Sequence, residues 1–321
     1  MGISVDGARH LLQTVQKLGI SGKGGAVLTL GRQATYIDLK DFGVLLSAAG
    51  IGRFENRTIR FFKAADQERF ERIIQSNRGF GHPPSFNPAH ISDELWFAAL
   101  GFDVVDSVDA NNHEGASFLH DLNLPGLAEA AGKKYDFIFD GGTLEHVFHV
   151  PNVLDNLFSC LNIGGWIYHQ APSNNHVDHG FYQFSPTFFH DWYGANRWKI
   201  GHSTFFRHTK RHNSEPWHFY PYSPGSLAEV AFGGMDEAMW GVAFCAQKTQ
   251  ESTSTEIPQQ SLMVDAWHHS VTKPTTEDFS TWHRRATRTT GGSITRFLKR
   301  KLRNRVTLAI KASLYSGFRR T

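Results

Sequence analysis

Three aspartates, Asp109, Asp121 and Asp140, each close a short apolar run (FDVVDSVD, ASFLHD and YDFIFD), and His146, His149, His169, His176 and His179 follow the last of them. A carboxylate accepts hydrogen bonds from a pair of hydroxyls. Several carboxylates together attract a cationic centre and repel phosphates. An imidazole titrates near neutrality and can take a proton from a hydroxyl or an amine. The set therefore suits a ligand with a ribose-like diol and a positive centre, held beside a group that gives up a proton. Other roles fit the same residues. Asp109 can cap Asn111-Asn112, and Asp121 can form a turn before Leu122-Asn123-Leu124-Pro125. Glu145 can be a first-turn acid facing a helix dipole, and each histidine taken singly fits a solvated or internally bonded side chain.

These side chains can act together only if the strands that carry them end at one edge. AVLTL before Gly31, FDVVDSVDA, ASFLHDLNLP, YDFIFDGG and IGGWIYHQAP read as strands, with WKIGHSTFFRH and MWGVAFCAQK as two later ones. GARHLLQTVQKLG, AADQERFERIIQSN, ISDELWFAAL, TLEHVFHVPNVLDNLFSCLN and SPTFFHDWYGAN read as helices. Ser92 and Ser185-Pro186 supply helix starts, and Pro151 fits only near a start or a break. The alternation predicts an α/β fold: a Rossmann-like, doubly wound, mostly parallel sheet of seven strands, the last one antiparallel, with a helical insertion over 38–100. Ligands of such sheets bind beyond the carboxyl ends of the strands. That edge would carry Gly31, Asp109, Asp121 and Asp140, and a glycine at position 31 lets a ligand approach the backbone.

One block is more specific. Tyr135-Asp136 to Ile138, Leu144-Glu145-His146, Leu161-Asn162-Ile163-Gly164-Gly165 and Pro172 resemble, in order and spacing, the fourth strand, helix and fifth strand of class I S-adenosylmethionine-dependent methyltransferases. The resemblance covers about residues 26–248. It implies an enzyme that uses S-adenosyl-L-methionine to methylate a small-molecule acceptor, such as a sugar, a glycan–lipid intermediate or a secondary metabolite. It also implies roles: Gly31 against the methionine part of the cofactor, Asp109 on its ribose, Asp121 near its adenine, Asp140 on the same edge, and His146 or His179 as the base. The family's first-strand acid is replaced by Thr29, and the later glycines of its loop are missing. The alternative is thus a catalytically degenerate member that binds a ligand without turnover. Some related enzymes use a divalent ion near the Leu-Glu-His segment, and Glu145 leaves that open. His176-x-x-His179 with Asp178 falls short of a recognised zinc spacing, so no metal is expected. No G-x-G-x-x-G follows the first strand, which argues against a dinucleotide oxidoreductase.

Composition bounds the rest. The 321 residues are 40% hydrophobic and 20% charged, enough for one large domain with additions. Cys160 and Cys245 are the two cysteines, both in apolar runs, so a reduced, cytoplasmic protein is expected. The polar N-terminus does not read as a signal peptide, and no apolar run is long enough to span a membrane. The net charge of +3 is uneven: residues 284–321 hold 12 Lys/Arg and no acid, which leaves 21 basic residues against 30 acidic ones elsewhere. An acidic body argues against nucleic acid as a partner. The expected organisation is an N-terminal helix (1–25), the methyltransferase-like domain (26–248), a linker (249–293) and a basic amphipathic tail (294–321). The tail either packs on the body or makes peripheral contact with an anionic membrane.

Overall fold

The computed structural model describes residues 2–56, 58–75, 87–211 and 215–264; the expected basic tail, 294–321, and most of the expected linker lie outside the described residues. In chain order the elements are α1 (Val5–Lys17), β1 (Ala26–Leu30), α2 (Leu39–Ala48), β2 (Gly52–Glu55), β3 (Thr58–Phe61), α3 (Ala64–Gln75), α4 (Asp93–Leu100), β4 (Val104–Asp109), β5 (Phe118–Leu119), α5 (Leu127–Ala131), β6 (Tyr135–Asp140), α6 (Val150–Cys160), β7 (Leu161–Asn174), α7 (Pro186–Ala195), β8 (Lys199–His208), β9 (His218–Pro221) and β10 (Met239–Gln247). Among the described residues no helix is long and apolar enough to cross a membrane.

The main sheet runs β5-β4-β1-β6-β7-β10-β8-β9. β1 pairs in parallel with β4 and with β6, and β6 with β7, while β10 is antiparallel to both β7 and β8. Side chains alternate between the two faces, as the pleat requires. Val27, Phe137, Phe139, Tyr168 and Cys245 pack on one face with Ala8, Leu11, Leu12 and Val15 of α1. Their neighbours Leu28, Ile138, Ile167 and Phe244 pack on the other, with Val153, Leu154 and Leu157 of α6 and Phe189 and Trp192 of α7. Helices cover both faces, which is why the strands read as near-continuous apolar runs.

Helix starts follow their capping side chains. Ser92 Oγ accepts from the Leu95 amide at 3.2 Å, and Ser185 leads into Pro186 in the first turn of α7. α1 begins at Val5, two residues before the expected Gly7, because Ser4 Oγ accepts from the Gly7 amide at 3.1 Å.

Four details differ from expectation. The main sheet has eight strands, not seven: β9 pairs antiparallel with β8 and adds an edge. Segment 38–100 holds α2, α3 and α4 but also the antiparallel pair β2–β3. The helix expected from Thr143 starts at Val150, after a single 3-10 turn at Leu144–His146, with Pro151 in its first turn. Finally, residues 253–256, placed in the expected linker, are tied to the body. The Thr253 amide donates to the Asn196 carbonyl at 2.9 Å, and Trp198 Nε1 to the Thr253 carbonyl at 3.0 Å.

Candidate functional site

The strand order changes direction between β1 and β6, and in open sheets of this kind ligands bind beyond the carboxyl ends at that switch point. Thr143, just past β6, bridges it: its hydroxyl donates to the Leu30 carbonyl at the end of β1. Gly31 follows with φ of +71°, a backbone conformation that disfavours a side chain. A Cβ built on Gly31 would lie 3.5 Å from Thr143 Oγ1 and 3.8 Å from Asp109 Oδ2. Gly31 and Asp109, from β1 and β4, thus face one cradle that a side chain would occupy.

The two other strand-end acids sit differently. Asp121 is exposed, and its Oδ1 accepts from the amide and from Nδ2 of Asn123, both at 2.9 Å. These bonds, the amide's first, hold its carboxyl below the usual range. Asp109 forms a similar turn, Oδ1 accepting from the Asn111 amide at 3.3 Å, so its turn-forming role and an outward Oδ2 coexist. The neighbouring strands keep the two acids close in register, since the His120 amide donates to the Asp109 carbonyl at 2.9 Å. Asp140 is wholly buried. Its Oδ1 accepts from the amides of Thr143 and Leu144 at 3.0 and 3.2 Å. Its Oδ2 lies 2.8 Å from His169 Nδ1, and His169 Nε2 lies 2.6 Å from the Tyr193 hydroxyl. Asp140 shapes the turn after β6 from below rather than presenting an oxygen beyond the strand ends.

The loop that glycines would form in the family is held another way. Arg32, with a side chain only 6% exposed, pairs with Asp93 at 2.9 Å and Glu94 at 3.6 Å. The Gln33 amide donates to Asp93 Oδ2 at 2.8 Å, and Gln33 Nε2 to the Leu30 carbonyl at 2.8 Å. Side-chain bonds from the first turn of α4 replace backbone freedom. Sequence reasoning missed this anchor, although an Arg directly after the strand-ending glycine and an Asp-Glu pair behind the Ser92 cap were both visible.

Past the end of β6, the turn capped by Asp140 presents Glu145 and His146, and the loop after β7 presents His179. Glu145 is fully buried, and neither carboxylate oxygen has a hydrogen-bond partner. Burial, with a smaller contribution from the Asp140 charge, pushes its carboxyl up to about 7. Both imidazoles approach the same oxygen: His179 Nε2 lies 3.6 Å and His146 Nε2 3.8 Å from Glu145 Oε1. These separations exceed a hydrogen bond. The two imidazoles are half open, with side chains 46% (His146) and 38% (His179) exposed, and meet edge to face with centroids 5.1 Å apart. Partial burial holds both below the usual imidazole pKa, as does the neighbouring His179 in the case of His146. The two loops are stitched together because the amides of Phe181 and Tyr182 donate to the Glu145 carbonyl at 2.8 and 3.2 Å. The exposed rings of Phe148 and Phe181 stand edge to face at 5.6 Å on the same two loops. Of the other expected histidines, His169 is buried under the turn, and His176 is buried with its ring 5.8 Å from that of His179. The structure therefore brings Gly31 and Asp109 together on one side and His146 and His179 together on the other, with Glu145, read from the sequence as a first-turn acid or a possible ion ligand, beside both imidazoles.

Residues 53–216, just over half of the chain, match the model of a family described as a methyltransferase domain. No curated protein matches the chain. Among solved structures, TehB from Haemophilus influenzae is 14% identical over 74% of this chain and 62% of its own, with a TM-score of 0.33. The Burkholderia thailandensis 1,6-didemethyltoxoflavin-N1-methyltransferase, solved with its substrate and S-adenosylhomocysteine, is 12% identical over 76% and 80%, with a TM-score of 0.30. The methyltransferase MycE of the mycinamycin biosynthetic pathway, solved with Mg and S-adenosylhomocysteine, is 11% identical over 81% and 58%, with a TM-score of 0.35. The chain thus spans less than two thirds of TehB and of MycE. With the family's model matched over just over half of the chain, and a mostly parallel sheet to match, the chain belongs to the class I methyltransferases, enzymes whose cofactor is S-adenosyl-L-methionine.

Proposed function

We propose that the protein methylates an oxygen or nitrogen of a small-molecule acceptor, with the donor held at Gly31 and Asp109 and the acceptor's proton removed at the Glu145–His146–His179 cluster. The observation that carries this reading is the link between two unlike half-sites through the turn after β6, where Thr143 lies beside Gly31 and Glu145 follows two positions on. On one side is a carboxylate facing a glycine cradle; on the other are two half-open imidazoles beside a buried carboxylate. When bound, S-adenosylmethionine supplies an electrophilic methyl group on a sulfonium. The cradle fits it: Gly31 leaves the space that a side chain would fill, Asp109 Oδ2 can accept from ribose hydroxyls, and Asp121 adds a second acid toward the adenine side. Asp140 holds the turn that carries Thr143 and Glu145. Because both imidazoles are held below their usual pKa, they are unprotonated at neutral pH and can receive a proton at Nε2. In-line displacement depends chiefly on positioning, which the stitched loops provide. The exposed Phe148 and Phe181 favour an acceptor with an apolar part beside its reacting group.

Calorimetric titration of the full-length protein with S-adenosylhomocysteine, followed by methyl transfer from labelled donor to panels of hydroxylated and amine-bearing small molecules, tests the reading. Binding with transfer to at least one acceptor supports it. Binding without transfer to any acceptor would favour a degenerate binding protein, and no binding would overturn the donor site.

A further inference from the structure

We propose that Tyr193 and His169 are positioning residues for methyl transfer: with Asp140 they form a buried chain of hydrogen bonds that keeps the charge on Asp140 and so holds the turn bearing Glu145 and His146. Their part in methyl transfer rests on the function proposed above; the chain itself rests on the geometry of the three side chains.

Asp140, His169 and Tyr193 come from β6, β7 and α7 and meet where none of them reaches water. The Tyr193 hydroxyl lies 2.6 Å from His169 Nε2, and His169 Nδ1 lies 2.8 Å from Asp140 Oδ2. The direction of the chain follows from what each group can do. Burial, with a smaller contribution from the Asp140 charge, pushes the Tyr193 phenol far above its usual range, so it keeps its proton. A buried hydroxyl proton needs an acceptor, and His169 Nε2 stands in reach. An imidazole that accepts at Nε2 is neutral and carries its proton on Nδ1, which then donates to Asp140. Asp140 so receives three donors: His169 on Oδ2, and the amides of Thr143 and Leu144 on Oδ1. Accepting at both oxygens is what a carboxylate does.

The two amides open the turn that carries Glu145 and His146. Thr143, on the same turn, reaches the end of β1, so the chain lies under both half-sites. The Asp140 charge also acts on Glu145: after burial, it is the second cause that raises that carboxyl to about 7. Two buried carboxyls thus take different roles. Asp140 holds the charge, and Glu145 is left beside the imidazoles of His146 and His179. The surroundings are apolar. The His169 ring lies 4.8 Å from that of Phe189, and the Tyr193 ring about as close to those of Phe244 and Trp198, at 5.1 and 5.0 Å. Hydrocarbon side chains would fill this space without the cost of burying polar groups. What the polar chain adds is a fixed turn above it.

The test uses full-length protein labelled with 15N at histidine. At pH 7 the wild type should show His169 with its proton on Nδ1 and protected from exchange. Tyr193→Phe removes one oxygen and keeps the ring; the His169 proton should then exchange freely, and the His146 and His179 signals should shift. His169→Asn puts an amide donor where Nδ1 stands, whereas His169→Gln puts it nearer Nε2. Methyl transfer from labelled S-adenosylmethionine, to an acceptor found in the panel above, should stay within about threefold of wild type in His169→Asn and fall about tenfold or more in His169→Gln, with S-adenosylhomocysteine affinity nearly unchanged in both. Circular dichroism checks folding, and Tyr193→Phe carries the test where a His169 variant does not fold. A proton on Nε2 in the wild type, His146 and His179 signals indifferent to Tyr193→Phe, or equal losses in the Asn and Gln variants would each overturn the proposal. If the spectra behave as stated and no acceptor is methylated, the proposed function fails, while the chain and its hold on the turn stand.

Discussion

Gly180 runs so close beneath Glu145 that a single methyl group on it would meet both the carbonyl oxygen and the side chain of that glutamate. The contact joins the loop after β7 to the turn after β6, and it sets how far His179 stands from Glu145. Gly180→Ala should therefore displace one loop. A destabilisation of about 1–3 kcal/mol is expected, as for other overpacked sites. Methyl transfer should fall tenfold or more, while S-adenosylhomocysteine affinity stays within roughly threefold. Parallel urea denaturation, calorimetry and turnover measurements check this. A matching drop in cofactor affinity would mean that the loop serves the donor side.

Asp109→Ala removes the acid that faces Gly31. Losing a hydrogen bond to a charged group costs about 1.5–3 kcal/mol, which is roughly a 10–150-fold loss in affinity for S-adenosylhomocysteine. Asp121→Ala should cost less, because one of that carboxylate's oxygens is already committed to Asn123. Calorimetry on both variants ranks them; equal or inverted losses would move the ribose to Asp121.

Asp93→Ala should damage the donor side without touching it. Arg32 would be left buried with Glu94 at 3.6 Å as its remaining ion-pair partner and a weaker contribution from the Glu114 charge. Breaking one partner of a buried pair costs about 3–5 kcal/mol, and the remaining acid puts the expectation at the lower end. The melting temperature should fall, and cofactor affinity with it, since Asp93 also holds the Gln33 amide. A melting temperature like that of the wild type would show that the loop after β1 holds its shape some other way.

A pH effect on stability is expected far from the proposed site. His10 is buried, with Nδ1 2.9 Å from the Tyr168 hydroxyl and Nε2 3.0 Å from His202 Nε2 and 3.3 Å from Thr204 Oγ1. Burial, then the neighbouring His202, lowers its pKa to about 3. The folded state therefore favours the neutral ring. This contribution is fully present above the unfolded pKa of about 6.5 and is lost as pH falls from there toward 3. At pH 5 the loss from His10 is about 2 kcal/mol. Urea midpoints of wild type and His10→Gln at pH 7.5 and 5.0 test it: the variant should lose less stability between the two. Equal losses would place the acid sensitivity elsewhere.

The strands carrying the site were legible because their apolar runs are short and end in turn residues. The helix after β6 was misplaced because Thr143 to Val147 carry helical spacing, while Asp140 reaches up to cap the Thr143 and Leu144 amides and closes a tighter turn. No local pattern announces a cap from inside a preceding strand. β9 escaped notice because HFYP is four residues long and ends in proline. His146 and His179 were picked out for their residue type and place, and they do meet. The burial of Glu145 was not legible, because it depends on Gly180 and the Phe181 and Tyr182 amides, which arrive from another loop.

Six residues, from Gly141 to His146, join the two halves of the proposed site. Thr143 fastens this segment to the end of β1 beside the donor cradle, and two positions later Glu145 meets the loop that bears His179. The distance between donor and acceptor is therefore counted in peptide units rather than set by a hinge between domains. An inserted or deleted residue between Thr143 and Glu145 would put the two half-sites out of register. Length should be the least negotiable property of this segment, ahead of the identity of its side chains. Substrate range would instead be free to change at Phe148 and Phe181, which touch the rim and leave the spacing alone.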